Sequence, residues 1–142
     1  MQRRYDHQEA DMNLTARTTL LMDAAATSAT AVTMLAARSV LYPYFGLPTS
    51  QLLDITAVAF LIYAAIIALV ARQELISRVA MMAVAGANAA YVMASIALLV
   101  MFWPALEPIG RALIIAVALV VEVFATLQFA AARRSPARLH AA

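Results

Sequence analysis

At 142 residues, 65% of them hydrophobic and 13% charged, the chain carries more apolar surface than the core of so small a globule can hide, so lipid must solvate much of it. The net charge of +2 is small, and the Arg residues stand at segment ends rather than in a patch, which argues against a nucleic-acid partner. Cys is absent, which excludes disulfides and thiol nucleophiles, and His7 and His140 both lie in the polar ends, so no haem or metal is expected on the chain's own ligands.

A membrane-crossing helix needs roughly 20 mostly apolar residues. Four stretches qualify, at about residues 18–41, 52–71, 79–103 and 109–132, which predicts an all-α membrane protein built as an antiparallel up-down-up-down bundle of four transmembrane helices. Residues 1–17 form a polar N-terminal tail and 133–142 a basic C-terminal one. The leading stretch "MQRRYDHQEADMNLTAR" is long and mixed in charge, and the apolar run after it exceeds a signal-peptide h-region, so the first helix is expected to remain as a span.

In the first span Thr19, Asp23, Thr27 and Thr30 recur at helical spacing and share one face. The connection "YPYFGLPTS" supplies Pro43, Gly46 and Pro48, with Thr49 or Ser50 as the N-cap of the second helix. Arg38 and Asp54 flank this connection and are expected to pair across it, Asp54 lying where the positive end of the helix dipole favours a carboxylate. "RQELISR" makes a short charged turn into the third span, "MMAVAGANAAYVMAS". Gly86, Ala90 and Ala94 stand four apart there and permit close helix packing, within the bundle or against another subunit. Met81, Met82 and Met93 read as adaptable packing. "WPALEPIG" brings in the fourth span, with Pro108 suited to its first turn.

The fourth span, "ALIIAVALVVEVFATLQFA", contains Glu122 and Gln128. Polar groups in a span normally face protein or water, because a central charge costs about 2.5–3.5 kcal/mol on insertion scales. Asn88 and Glu122 both fall about 14 Å from the Arg-rich boundary, near the mid-plane, and are expected to meet; Asp23 and Gln128 form a second level about 6–8 Å from that boundary. Glu122, Thr126 and Phe129 make a stripe that could face the polar stripe of the first helix. The candidate intramembrane site is therefore Glu122, Asn88, Asp23, Gln128 and Thr126, working either as a hydrogen-bonded clasp or as a carrier of protons or cations. No Arg lies at the depth of Glu122.

Arg3, Arg4, Arg17, Arg72, Arg78, Arg133, Arg134 and Arg138 collect on one side, against Arg38 and Arg111 on the other. The positive-inside rule then puts both termini in the cytoplasm, and Tyr42, Tyr44, Phe45, Phe102 and Trp103 at the opposite interface. Asp in the first span, Gly-Leu-Pro before the second, Asn in the third and Glu-x-x-x-x-Leu-Gln in the fourth, over about residues 20–134, resemble a type of small four-helix bacterial inner-membrane protein. That resemblance implies an architecture and no particular activity.

Three functional classes follow. The expectation placed first is a non-catalytic accessory or structural subunit of a larger membrane assembly or homo-oligomer, because no metal cluster or nucleophile arrangement supports an enzyme. A small transporter or ion pathway using Glu122 comes second. Third is a binder of lipid, quinone or pigment between helices. Membrane lipids and other subunits or copies are the expected partners.

Overall fold

A computed structural model describes residues 2–134 of the chain, and the side chains of residues 14–133. The expectations placed on His140, Arg138 and the rest of the C-terminal tail, and on the side chains of His7, Arg3, Arg4 and Arg134, lie outside the described residues.

The described chain is helical. Helix α1 runs Gln2–Ala36, followed by a single turn α2 (Arg38–Leu41) and a 3-10 turn over Tyr42–Phe45; α3 spans Gln51–Ala71, α4 Arg78–Phe102 and α5 Pro108–Arg134. Four segments are long and apolar enough to cross a membrane: Leu14–Ala36, Gln51–Ala71, Arg78–Phe102 and Pro108–Arg133.

The first helix differs most from expectation. It extends back to Gln2, through the segment read as a tail, and stops at Ala36 instead of Leu41. The chain breaks at Ala37 (φ −103°, ψ 14°) and re-enters one short turn, after which Pro43 takes an early position in the 3-10 turn, where its missing N–H is tolerated. At the start of α3, Ser50 holds the cap position and its carbonyl accepts from the Asp54 amide at 3.0 Å, but its side chain makes no capping bond. Ser77 does cap α4, its hydroxyl accepting from the Ala80 amide at 3.1 Å.

Buried positions on α3 recur at Leu53, Ala57, Ala64, Ile67 and Ala71, alternating steps of four and three with Phe60 in the gap. This is the seam of a coiled-coil-like contact, and its alanines admit close approach. The seam packs on α1, which buries Ala16, Leu20, Ala24 and Ala31; α4 packs as closely on α5, and α1 and α5 join the two pairs.

Along its axis the bundle is layered. A tight apolar layer holds Leu20, Ile67, Met81, Val84 and Ala132. Next comes a polar layer of Asp23, Asn88 and Gln128, then a cavity, and last the paired connections around Tyr44 and Ala105. At the tight end Arg17 Nη2 donates to the Gln73 carbonyl at 2.9 Å and ties α1 to the α3–α4 connection. At the other end the Glu107 amide donates to the Tyr44 carbonyl at 3.0 Å, and the Arg111 guanidinium lies 4.4 Å above the Trp103 ring.

Candidate functional site

Three helices each send one polar side chain to a single point in the interior. Asp23 from α1, Asn88 from α4 and Gln128 from α5 are at most 2% exposed. They form a closed triangle. Asn88 Nδ2 donates to Asp23 Oδ2 at 2.7 Å and to Gln128 Oε1 at 3.0 Å, and Gln128 Nε2 donates to Asp23 Oδ2 at 2.6 Å. The fourth long helix joins through Tyr63, whose hydroxyl donates to Asn88 Oδ1 at 2.9 Å. Thr27 donates to the other carboxylate oxygen, Asp23 Oδ1, at 3.3 Å. All three groups that touch Asp23 are donors, the arrangement that suits an acceptor-only carboxylate. The amide orientations are fixed by the same logic: turning Asn88 over would set its carbonyl oxygen against the carboxylate.

Above this layer, on the side of Thr27 and Thr30, lies a cavity of about 440 Å³ shared by all four long helices. Asp23, Asn88, Tyr63 and Thr27 make its polar floor, and Phe60, Tyr91 and Phe124 stand in its walls. The rings of Phe60 and Tyr91 meet edge to face at 5.5 Å, bridging α3 and α4. Ala59, Ala87, Ala116 and Val120 also line it; they are exposed and lie in mid-helix, so the cavity opens through the flank of the bundle. Asp23 is the one carboxylate among the lining residues, and no Arg or His joins it.

The sequence-derived site is thus only partly assembled. Asp23, Asn88 and Gln128 come together, with Asn88 joining the level assigned to the other two. Glu122 does not: it is exposed on the outside of α5, with Thr126, and neither belongs to the buried layer. The expected meeting of Glu122 with Asn88 is corrected by helical geometry. At about 100° per residue, Glu122 and Gln128 project about 120° apart, so both cannot face the interior. Gln128, fully buried between Ala125 and Ala132, takes it.

The small-residue face of α4 is likewise turned outward. Gly86, Ala90 and Ala94 are exposed, and a Cβ placed on Gly86 would touch nothing within 4 Å, which removes packing inside this bundle as its explanation. Arg38 Nη1 lies 3.3 Å from Asp54 Oδ2 with the Arg side chain 56% exposed, a contact of the kind worth little in stability. Of the methionines, Met81 is buried while Met82 and Met93 are exposed.

Sequence reasoning misses Tyr63, since tyrosine in a spanning segment reads as an interfacial ring. The available signal was its position well inside the second apolar run, where its hydroxyl needs a partner.

The class these features define is a helical bundle with four candidate membrane-spanning helices and a buried carboxylate–amide layer beneath an aromatic-walled cavity. Comparison with family models, with curated proteins and with solved structures finds no match.

Proposed function

We propose that this chain is a multi-pass protein of a bacterial inner membrane that takes a small amphiphilic molecule into the cavity between its helices. The observation that carries the proposal is the cavity itself, about 440 Å³ with ring and alkyl walls, a polar floor and an opening at mid-helix. Binding sites commonly combine an apolar lining with a few fixed polar groups in this way. An up-down-up-down arrangement is supported by the order of the layers, in which Leu20, Asp23 and Thr27 ascend α1 as Ile67, Tyr63 and Phe60 descend α3. Cytoplasmic termini are supported by the Arg distribution.

The test is native mass spectrometry of protein extracted in mild detergent, comparing wild type with Ala87→Trp, which projects an indole into the cavity. Wild type is expected to carry a small-molecule adduct that Ala87→Trp lacks at unchanged thermal stability. A wild type free of adducts, unable to take up an added lipid, quinone or other amphiphile, would remove the reading.

A second reading, as an accessory subunit or homo-oligomer, is favoured by the outward position of Glu122. A carboxylate at this depth is costly against lipid and normally faces protein. Gly86, Ala90 and Ala94 offer a close-packing surface on the adjacent helix α4. Glu122→Leu and Gly86→Leu are each expected to shift a cross-linked or native-mass assembly towards the single chain. An assembly unchanged by either substitution would count against this face as a contact surface.

A further inference from the structure

The floor and walls of the cavity select one charge of ligand. Asp23 presents its two oxygens differently. Oδ2 accepts from both Asn88 and Gln128, whereas Oδ1 accepts one longer bond from Thr27, and both Asp23 and Thr27 line the cavity. Oδ1 therefore keeps acceptor capacity on the side where a ligand would lie. The carboxylate is 1% exposed, and its hydrogen-bonding partners are neutral. Asn88 and Gln128 supply dipoles but no countercharge.

The walls point the same way. Phe60, Tyr63, Tyr91 and Phe124 surround the space next to the carboxylate, and aromatic faces attract cations through the ring quadrupole. With no Arg or His lining the cavity, an anionic ligand would meet the carboxylate with nothing to offset it. A neutral ligand would leave the Asp23 charge uncompensated in surroundings where an isolated charge is costly.

We propose, resting on the reading of the cavity as a ligand site, that its occupant is a hydrophobic organic cation, an ammonium whose N–H donates to Asp23 Oδ1 while its alkyl or aryl part lies among Phe60, Tyr91 and Phe124. The polar triangle then serves as a positioning frame. It holds Oδ2 from behind and leaves Oδ1 towards the cavity.

The test compares two probes of nearly equal shape, 4-phenylbutylamine in its ammonium form and the neutral 4-phenylbutan-1-ol, binding to purified full-length protein in neutral detergent. Wild type is expected to bind the ammonium at least about tenfold more tightly, as a charge-assisted hydrogen bond exceeds a neutral one. Asp23→Asn is expected to abolish the preference while alcohol binding persists. Equal binding of both probes by wild type would overturn the cation assignment and leave the cavity reading standing; binding of neither would overturn the cavity reading itself. Because the wild-type comparison decides the charge, the inference stays exposed even where Asp23→Asn fails to fold. In a folded Asp23→Asn, a preference that survived would also overturn it, by placing the countercharge elsewhere.

Discussion

Replacing Asn88 by Ala is expected to cost more stability than removal of any other polar side chain in the four candidate spans. Asn88 makes three of the bonds that join the helices: two as donor, to Asp23 and Gln128, and one as acceptor, from Tyr63. Its loss strands the Gln128 carbonyl oxygen, leaves the Tyr63 hydroxyl with its longer 3.4 Å bond to the Val84 carbonyl and removes one of the two donors on Asp23 Oδ2. An orphaned buried polar group costs about 1–3 kcal/mol in a soluble interior. Interhelical bonds in membranes average nearer about 0.6 kcal/mol, because separated helices find other partners. Asn88 lies between these limits, since its bonds form one closed network and lose their value together. The expected loss is about 2–4 kcal/mol, read from denaturant unfolding in detergent micelles or bicelles. Glu122→Gln, on the outside of the same bundle, is expected to stay within about 0.5 kcal/mol of wild type in the single chain. Equal losses in the two variants would mean that the buried triangle does not hold the helices together.

The second large effect is expected at the far end, where two glycines close the connections on each other. A Cβ on Gly110 would overlap the Tyr44 carbonyl oxygen, which is held in place because it also accepts the Glu107 amide. The obstacle is backbone, so it cannot move aside as a side-chain tip could. Gly110→Ala is expected to cost about 1–3 kcal/mol, as overpacking does. Gly46→Ala combines a similar overlap, with the Ala105 carbonyl oxygen, and a left-handed backbone at φ 64°, which adds about 1–2 kcal/mol for a residue with a Cβ. Gly86→Ala is the contrast. Its Cβ would point into open space, and a helix-interior Gly→Ala exchange gains up to about 1 kcal/mol. Thermal unfolding of the three variants should therefore rank Gly86→Ala at or above wild type, with Gly110→Ala and Gly46→Ala clearly below it. A uniform response would contradict the interlocked connections.

Asp23, Asn88 and Gln128 could be picked out of the sequence because each is a polar side chain inside an apolar run, and a run of that length identifies a helix. Their partners could not. Rotation about the helix axis decides which of two polar residues on α5 faces inward, and nothing in the local sequence favours Gln128 over Glu122. Ala118 and Ala125 flank Glu122 much as Ala125 and Ala132 flank Gln128, so the choice is made by the helices that α5 meets, where Asn88 donates to Gln128 and Asp23 accepts from it. Asn88, assigned to Glu122 by depth, proved equally reachable from Asp23, because depths counted along helices carry an uncertainty of a turn. The cavity was invisible for a different reason. It lies where α3 and α4 meet through the rings of Phe60 and Tyr91 while α1 packs closely on α3, and such a mismatch of spacing exists only after the helices are paired. Pro43 marked the connection, but the break at Ala37 lies six residues before it, with no proline or glycine of its own.

The flank opening of the cavity changes which concentration governs its occupancy. A site reached through a loop fills according to the molarity of its ligand in water. On the proposed membrane reading, one that opens through the flank of the bundle at mid-helix would fill from the surrounding hydrocarbon phase, so the governing quantity would be the ligand's mole fraction in that phase. An amphiphile that partitions strongly would be concentrated at this entrance before it meets the protein, and a modest intrinsic affinity would suffice. The apparent dissociation constant should then rise in proportion to the amount of detergent or lipid present, while the ratio between two equally partitioning ligands stays fixed.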